Sequence, residues 1–312
     1  MRGPLVVALG GGHGLAASLA ALRLVTDRIT AIVTVADDGG SSGRLRQEFD
    51  VLPPGDLRMA LAALCNDDEW GTTWASVLQH RFAGQGPLGG HSLGNLLILA
   101  LWEHFGEPVQ GLDMVGRLLN ARGRVLPMAA VPLTIEAVVQ GLDDADPQRP
   151  LVVRGQARVA TTPGEVRSVS VLPAAPPAHP EALRAVREAE WVVLGPGSWF
   201  TSVMPHLLVP ELREALLQTP ARRLLNLNLV LNTGETSGFS AERHLEVLAD
   251  HAPGLRLDVV LADPSVVGDE AALRAAARAL GAELLLAPVA EPGRDGHHDS
   301  LRLAAVYRDI MT

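Results

Sequence analysis

The first 36 residues constrain the fold most strongly, because their apolar residues follow the spacing of a strand, then of a helix, then of a strand again. The run PLVVAL at residues 4–9 is short and continuously apolar, as expected for a strand buried on both faces. A glycine cluster follows it, then LAASLAALRLV with helical spacing, and then RITAIVTVA, which is rich in β-branched residues. This order predicts a βαβ unit with a right-handed crossover.

Strands and helices continue to alternate along the 312-residue chain, with one interruption. The segment LVVRGQARVATTPGEVRSVSVL, at residues 151–172, has the pattern of short strands around a Thr-Pro-Gly turn. We therefore predict an α/β fold in which residues 1–312 form a single Rossmann-like domain. Its core would be a doubly wound, mostly parallel sheet, and residues 151–172 would form a small β-rich insertion.

The absence of lysine excludes several functions. All 26 basic residues are arginine, so the chain lacks the lysine of a Walker-type phosphate loop, of a Schiff base or of a lysine general base. The formal net charge of −9 and the lack of a basic run argue against nucleic acid as a partner. The single cysteine excludes a disulfide framework within one chain.

The sequence also lacks the features of membrane and secreted proteins. Its longest apolar run, LLILALW, is far too short to cross a bilayer. The first residues pass from a short apolar run directly into glycines, without the cleavage site of a signal peptide. These features predict a soluble, cytoplasmic protein without membrane insertion.

The glycine cluster after the first strand is the first candidate ligand site. Glycines between a strand and a helix allow a phosphate to approach the backbone N–H groups at the helix N-terminus. The Rossmann spacing is met only loosely, so a tight turn without a ligand is the alternative. The candidate ligand-binding residues are Gly10, Gly11, Gly12, His13 and Gly14.

Two adjacent acids, Asp37 and Asp38, follow the second strand, where a dinucleotide fold places the acid that bonds a ribose. Both are also candidate catalytic groups and candidate ligands of a divalent cation such as Mg²⁺. The sequence GGSSGRLR that follows is expected to be a flexible loop in which Ser41 and Ser42 bond a ligand and Arg44 pairs with a phosphate. The alternative is a solvated acidic turn ahead of a basic helix.

The motifs PPGDLR and GHSLGN each place polar residues at the start of a predicted helix. Asp56 and Ser92 have the position of helix caps, although Asp56 is also a candidate catalytic residue and Ser92 a candidate ligand contact. His91 is expected to point off the helix end toward the ligand-binding edge of the sheet. Arg58 and Asn95 complete this set of candidate ligand-binding residues.

A second glycine-rich loop, GPGSWFTS, follows the strand WVVL and therefore opens on the same edge of the sheet as the first. Two such loops favour a two-sided phosphate site. Exposure of the Trp and Phe in this motif would indicate a partner surface, which leaves a homo-oligomer open. The candidate ligand-binding residues here are Gly195, Pro196, Gly197, Ser198 and Thr201.

Two motifs nearer the end of the sequence each allow two interpretations. Glu235 in NTGETSGF is a candidate base or metal ligand, or a loop carboxylate that bonds backbone N–H groups. His297 and His298, together with Asp299, could bind a metal ion, but a helix cap at Asp299 is the simpler interpretation.

Six of these motifs, in this order, resemble those of a known superfamily: ALGGGHGL, TVADDGGSSGRLR, PPGDLR, GHSLGN, LGPGSWFTSVMP and TGETSGF. The superfamily is that of 2-phospho-L-lactate transferase (CofD-like), and the closer resemblance is to its gluconeogenesis-factor (YvcK-like) branch. The resemblance implies a Rossmann-like core whose loops bind a nucleotide or nucleotide sugar. By analogy, residues 10–14 and 195–198 would hold phosphates, while Asp37 and Asp38 would lie at the ribose or a metal ion.

The resemblance implies two functions and leaves both open. Members of the gluconeogenesis-factor branch are cytoplasmic and are linked to cell shape on gluconeogenic carbon sources and to UDP-N-acetylglucosamine. They imply a nucleotide-sugar-binding regulator of envelope-precursor supply. The sister branch uses magnesium to transfer a phospholactyl group from a nucleotide-activated donor to a deazaflavin acceptor. A nicotinamide-dependent oxidoreductase is disfavoured by the imperfect glycine fingerprint.

Overall fold

A computed structural model of the protein describes residues 3–312 and contains two β-sheets surrounded by helices. The strands are β1 (Val6–Gly10), β2 (Ile29–Val33), β3 (Arg124–Pro127), β4 (Thr134–Gln140), β5 (Leu151–Arg154), β6 (Glu165–Leu172), β7 (Trp191–Leu194), β8 (Arg222–Asn226), β9 (Val259–Ala262) and β10 (Glu283–Leu286). The helices are α1 (Gly12–Leu22), α2 (Gly40–Phe49), α3 (Pro54–Ala63), α4 (Glu69–Gln79), α5 (Leu93–Phe105), α6 (Pro108–Leu118), α7 (Gln156–Ala160), α8 (Pro180–Glu188), α9 (Pro205–Leu208), α10 (Pro210–Gln218), α11 (Ala241–His251), α12 (Glu270–Ala279) and α13 (Ser300–Met311). A π-helical turn spans Trp199–Val203, and short 3₁₀ turns span Gly234–Thr236 and Pro264–Val266.

The larger sheet confirms the predicted α/β class. Its seven strands lie in the order β10-β9-β8-β7-β1-β2-β3, and every neighbouring pair is parallel. Strand β1 lies between β2 and β7, so that Val6 pairs with Ile29 on one side and with Trp191 on the other. All five residues of β1 are buried, which explains its continuous apolar sequence. The strand order reverses between β1 and β7, which makes the carboxyl ends of these two strands the topological switch point.

Apolar helix faces cover this sheet and form the core with it. Helix α1 packs against α3 and α13, whereas α8 packs against α10 and α11 packs against α12. Within α1 the buried positions Leu15, Leu19 and Leu22 recur at helical spacing, as the sequence predicts. Of the helices in residues 3–312, none is both long enough and apolar enough to cross a lipid bilayer.

The smaller sheet is antiparallel and has the order β5-β4-β6. It begins at Thr134, before the predicted insertion at residues 151–172, and its central strand β4 lies outside that range. Burial alternates along β4, as expected for a sheet packed on one face only. Strands β5 and β6 lie within the predicted β-rich insertion and flank its Thr-Pro-Gly turn, while residues 156–160 between them form helix α7. The Arg46 guanidinium donates to the carbonyl of Leu133 at 2.6 Å and so ties this sheet to α2.

The expected loop after Asp37 and Asp38 is a helix. Helix α2 begins at Gly40, so Ser41 and Ser42 lie in its first turn and are buried. Local propensity favours a loop for this glycine- and serine-rich stretch, but packing overrides it. A methyl group on Gly43 would collide with the carbonyl of Asp38, so a glycine is needed for the chain to turn tightly into the helix.

Candidate functional site

The two glycine-rich loops meet at the switch point. A methyl group on Gly14 would collide with the carbonyl oxygen of Pro196 and would lie 2.6 Å from the Cα of Gly197. Only a glycine therefore allows the first turn of α1 to approach the loop after β7 this closely. The N-cap of α1, Gly11, provides no side-chain cap, which leaves the N–H groups of the first turn other than that of Gly12 available to a ligand, since Gly12 bonds Asp56.

The second loop is held in shape by Asn228, which the sequence analysis did not select. Its side-chain oxygen accepts from the Gly197 N–H at 2.7 Å, and its amide nitrogen donates to the Gly197 carbonyl at 2.7 Å. Gly195 has a φ of +70° and Gly197 a φ of +153°, so both positions favour glycine. The Ser18 hydroxyl of α1 donates to the Gly195 carbonyl at 3.0 Å, which connects the two sides of the site.

A cavity of about 370 Å³ opens beside these loops, and we call it the switch-point cavity. The predicted ligand-binding residues His13, Gly14, Pro196, Gly197 and Ser198 line it. The remaining lining residues were not predicted to bind this ligand, although His297 and His298 were considered as metal ligands. They come from α1, from the loop after β8 and from the segment that leads into α13: Ala17, Asn228, Leu229, Val230, Glu291, Arg294, Gly296, His297, His298 and Ser300. Four segments far apart in sequence therefore build the cavity wall.

The histidines before α13 contribute differently to this wall. His297 is exposed, whereas His298 is partly buried. Burial lowers the pKa of His298 to about 4, so its imidazole is neutral at pH 7 and serves as a hydrogen-bonding group instead of a charge. Asp299 accepts from the N–H groups of Leu301 and Arg302, which confirms it as the cap of α13.

A second cavity of about 220 Å³, which we call the inner cavity, lies where α2, α3 and α5 begin. Of the predicted residues, it is lined by Asp37, Ser41, Ser42, Asp56, Arg58 and Asn95. Arg81 and Met59 line it as well. The inner cavity adjoins the first glycine loop, since a methyl group on Gly11 would lie 2.5 Å from a carboxylate oxygen of Asp56.

Asp56 does not cap its own helix, α3, contrary to the sequence-based interpretation. Helix α3 begins at Pro54, its N-cap is Pro53, and no side chain caps it. Burial, followed by the charge of Asp37, raises the pKa of Asp56 to about 7, and a backbone hydrogen bond from Gly12 opposes the shift. A carboxyl group with this pKa can exchange a proton near neutral pH, which is the property required of a general acid or base.

The adjacent acids Asp37 and Asp38 contact different parts of the protein. Asp37 accepts from the Gly39 N–H at 2.9 Å and lines the inner cavity. Asp38 instead accepts from the Ala157 N–H of α7 at 3.0 Å and lies against Gly155. Asp38 follows β2 of the larger sheet and therefore anchors helix α7, next to the smaller sheet, to the larger sheet. Within residues 3–312, His, Cys, Asp and Glu side chains form no group of three or more that could hold a metal ion.

A buried hydrogen-bond network connects the three helices around the inner cavity. Asn95 donates to the Ser41 hydroxyl at 3.0 Å and accepts from Nε of Arg58 at 2.9 Å. The Ser41 hydroxyl also bonds Nδ1 of His91 at 3.0 Å. His91 is therefore buried in the network. It does not point toward the ligand-binding edge of the sheet, although the sequence predicted that it would. Burial lowers the pKa of His91, and the neighbouring Arg44 adds to this effect.

Ser92 and Arg44 both have hydrogen-bond partners within the protein. Ser92 occupies the N-cap position of α5, but its hydroxyl donates to the Leu78 carbonyl at 2.8 Å instead of capping the helix. Arg44 is exposed and donates to the carbonyls of Pro87 and Gly89. Neither residue lines the switch-point cavity or the inner cavity.

Glu235 is a loop carboxylate that bonds backbone N–H groups, one of the two interpretations given above. It is only 2% exposed, and it accepts from the Phe200 N–H at 3.0 Å at the π-helical turn. Burial raises the pKa of Glu235 to about 7, against the opposing effect of its hydrogen bonds. Thr201 is fully buried, and so are Trp199 and Phe200, which therefore offer no partner surface.

Comparison with known proteins agrees with the fold and the motifs. Residues 6–284 match the family described as 2-phospho-L-lactate transferase CofD. A relative from Mycobacterium tuberculosis, named "Putative gluconeogenesis factor", is 57% identical over 98% of this chain and 90% of its own length. The gluconeogenesis factor of Halalkalibacterium halodurans is 38% identical over 86% of this chain and 80% of its own length.

The solved structures show the same architecture. The crystal structure of a member of the UPF0052 family from Bacillus halodurans superposes with a TM-score of 0.86, at 33% identity, and covers 98% of this chain and 99% of its own. Family match, sequence identity and fold agree over nearly the whole described chain. The protein belongs to the 2-phospho-L-lactate transferase CofD family, in its gluconeogenesis-factor branch.

Proposed function

We propose that the protein is a gluconeogenesis factor that binds a nucleotide sugar of the UDP-N-acetylglucosamine type and regulates envelope-precursor metabolism and cell shape in the cytoplasm. The observation that carries the proposal is the contact between the two glycine-rich loops at the switch point, beside a cavity of about 370 Å³. Ligands of doubly wound sheets bind at this place, outside the carboxyl ends of the strands. A cavity of this size lies within the range of small-molecule sites.

The chemistry of the cavity wall suits a pyrophosphate with a neutral group at each end. The uncapped first turn of α1 and the positive end of its helix dipole favour phosphate oxygens. Arg294 is the one arginine among the described lining residues; it pairs with Glu291 of the same wall at 3.6 Å, and its remaining guanidinium donors can pair with the phosphate oxygens. Leu229 and Val230 offer apolar surface to a base or sugar ring, and neutral His298 can hydrogen-bond to it.

Calorimetric titration with UDP-N-acetylglucosamine in magnesium buffer tests this proposal. We expect saturable binding without turnover. Arg294→Gln should weaken this binding about tenfold or more, because it removes a charged phosphate contact. Arg278→Gln is the matched control, since this exposed arginine on α12 carries the same charge but lies outside the cavity. Absence of heat with the unmodified protein, or equal losses in both variants, would exclude the proposed ligand site.

A second candidate function is a magnesium-dependent transfer of a phospholactyl group from a nucleotide-activated donor to a deazaflavin acceptor. The observation that favours it is the acid pair Asp37 and Asp56 in the inner cavity, next to the first glycine loop. Mg²⁺ is commonly held by one or two carboxylates together with substrate phosphates, and this pair fits that donor set. When bound, the ion would neutralise charge on the phosphate groups of the donor.

In such a transfer, Asp37 and Asp56 would orient the donor, and Asp56 would accept the proton of the acceptor hydroxyl near neutral pH. The hydroxyl oxygen would bond to the phosphorus of the phospholactyl group, and the nucleotide part of the donor would leave as a nucleoside monophosphate. The assay is formation of a phospholactylated deazaflavin by the unmodified protein and by Asp56→Asn. Product that disappears in the variant would establish the transferase. Binding of the nucleotide sugar without any product, and no binding of the deazaflavin, would leave the regulator as the function.

A further inference from the structure

The single tyrosine of the chain lies behind the second glycine-rich loop, and it has no role in the functions proposed above. Tyr307 is on α13, and its side chain is fully buried. Its phenol oxygen lies 2.9 Å from Oγ of Ser18 on α1. Nδ2 of Asn226, at the end of β8, donates to the same phenol oxygen at 3.3 Å. Since the Ser18 hydroxyl donates to the Gly195 carbonyl, a buried chain of hydrogen bonds runs from Tyr307 to the loop.

The direction of this chain follows from the chemistry of its groups. A carbonyl oxygen only accepts, so the one hydroxyl hydrogen of Ser18 is used on Gly195. The hydrogen between Ser18 and Tyr307 therefore comes from the phenol, whose oxygen accepts from Asn226. Burial raises the pKa of Tyr307 to about 12, so its hydroxyl keeps this hydrogen at neutral pH. Each link thus depends on the one before it.

The Gly195 carbonyl is a point at which the loop can be held. The next residue, Pro196, has no backbone N–H, so the peptide unit between the two residues offers only its carbonyl oxygen. Pro196 lines the switch-point cavity together with Gly197 and Ser198. A shift of the Gly195 carbonyl would therefore move the residues that form one wall of the cavity.

Helix α13 contributes to the cavity in two ways. Ser300, its first residue, lines the switch-point cavity. Tyr307 follows seven residues later, which is about two helical turns and places both residues on the same side of the helix. The helix therefore supplies a wall residue at its start and supports the second glycine-rich loop farther along.

We propose that Tyr307 is a positioning residue: acting through Ser18, its hydroxyl fixes the second glycine-rich loop in the conformation that shapes the switch-point cavity for its ligand. The identity of the ligand rests on the proposed function, whereas the support of the loop can be measured in the ligand-free protein. The two proposals can therefore fail separately.

Hydrogen exchange of the Gly197 N–H in the ligand-free full chain, followed by NMR, tests the support of the loop. Tyr307→Phe removes the hydroxyl and keeps the ring, whereas Ser18→Ala removes the middle link. We expect each variant to speed this exchange about fivefold, because one net hydrogen bond is lost. The double variant should exchange no faster than either single variant, since both changes break the same chain.

Thr219→Val is the matched control. It removes another buried hydroxyl that donates to a backbone carbonyl, that of Val186 at 2.8 Å. Thr219 precedes β8, so it lies at the opposite end of the larger sheet from the loop. We expect a similar loss of stability in urea, but exchange at Gly197 within about twofold of the unmodified protein. Equal acceleration by Tyr307→Phe and Thr219→Val would overturn the proposal, because a general loss of stability would then explain both.

Ser18→Ala keeps the proposal falsifiable if Tyr307→Phe does not fold, since unchanged exchange at Gly197 in this variant would also overturn it. Calorimetry with UDP-N-acetylglucosamine then tests the link to the ligand. Affinity should fall about fivefold in each single variant and no further in the double variant. Unchanged affinity in both single variants would overturn the proposal. If the unmodified protein did not bind, the proposed ligand would be excluded, and the exchange rates alone would decide the role of Tyr307.

Discussion

Burial of Glu235 makes the stability of the protein depend on pH, and the size of the effect follows from its pKa. The carboxyl pKa rises from 4.5 to about 7 because the side chain is buried at the π-helical turn. The folded protein therefore favours the protonated form. Stability from this group is fully present below pH 4.5, falls as pH rises, and is lost above about pH 7, where both states are ionised.

The loss amounts to about 3 kcal/mol in the free energy of unfolding, since one pKa unit corresponds to about 1.4 kcal/mol. Glu235→Gln keeps the oxygen that accepts from the Phe200 N–H and removes the titration. Relative to the unmodified protein, the variant should therefore gain about 2.5 kcal/mol more at pH 8 than at pH 5.

Urea unfolding at pH 5 and pH 8 measures this difference, with tryptophan fluorescence and far-ultraviolet circular dichroism as two probes that must coincide. Glu103→Gln is the matched control on an exposed face of α5, and it should change stability by less than about 0.5 kcal/mol at either pH. If Glu235→Gln changed the unfolding free energy equally at both pH values, the argument that burial keeps this carboxyl protonated would be wrong.

Three further outcomes are expected. Gly14→Ala should destabilise the protein by about 1–3 kcal/mol in urea unfolding, because its methyl group meets backbone of the second glycine loop; Gly86→Ala, which has open space, is the control and equal effects would contradict the contact. Asp37→Asn should lower the pKa of Asp56 from about 7, because a like charge is removed; carbon-13 NMR titration measures it, and an unchanged value would show that the two carboxylates do not interact. Asp38→Ala should speed amide hydrogen exchange in α7, since its first turn loses an acceptor worth about 1 kcal/mol; unchanged protection would contradict the anchoring role.

Local patterns predicted those parts of the protein that depend on neighbouring residues. Strands β1 and β2 and helix α1 follow directly from hydrophobic periodicity, and both glycine loops follow strands as expected. Their meeting at the switch point was predictable as well, because parallel strands end at one edge. The start of α2 was not, since its glycines and serines favour a loop by propensity and only packing makes them helical.

The missed side chains depend on contacts between residues far apart in sequence. Asp38 resembles Asp37 in sequence, but its partner Ala157 lies 119 residues away on an element whose position no local pattern predicts. Asn228 hydrogen-bonds Gly197, which lies 31 residues earlier in the chain, and the residues around Asn228 form no motif that predicts this contact. Tyr307 lies outside the six motifs, and its hydrogen bonds are visible only in the folded network. Single-domain organisation, cytoplasmic location and oligomeric state stay predictions.

The place of β1 inside the sheet, between β7 and β2, has a consequence for how the chain is made. One edge of β1 pairs with β2 soon after synthesis, but its other edge waits for Trp191, 185 residues after Val6. At ribosomal rates of about 5–20 residues per second, this apolar edge stays unpaired for roughly 10 to 40 s. During that time the nascent chain offers a template for wrong strand pairing. The switch-point cavity cannot exist until that interval ends, so ligand can stabilise the completed fold but cannot assist its early steps.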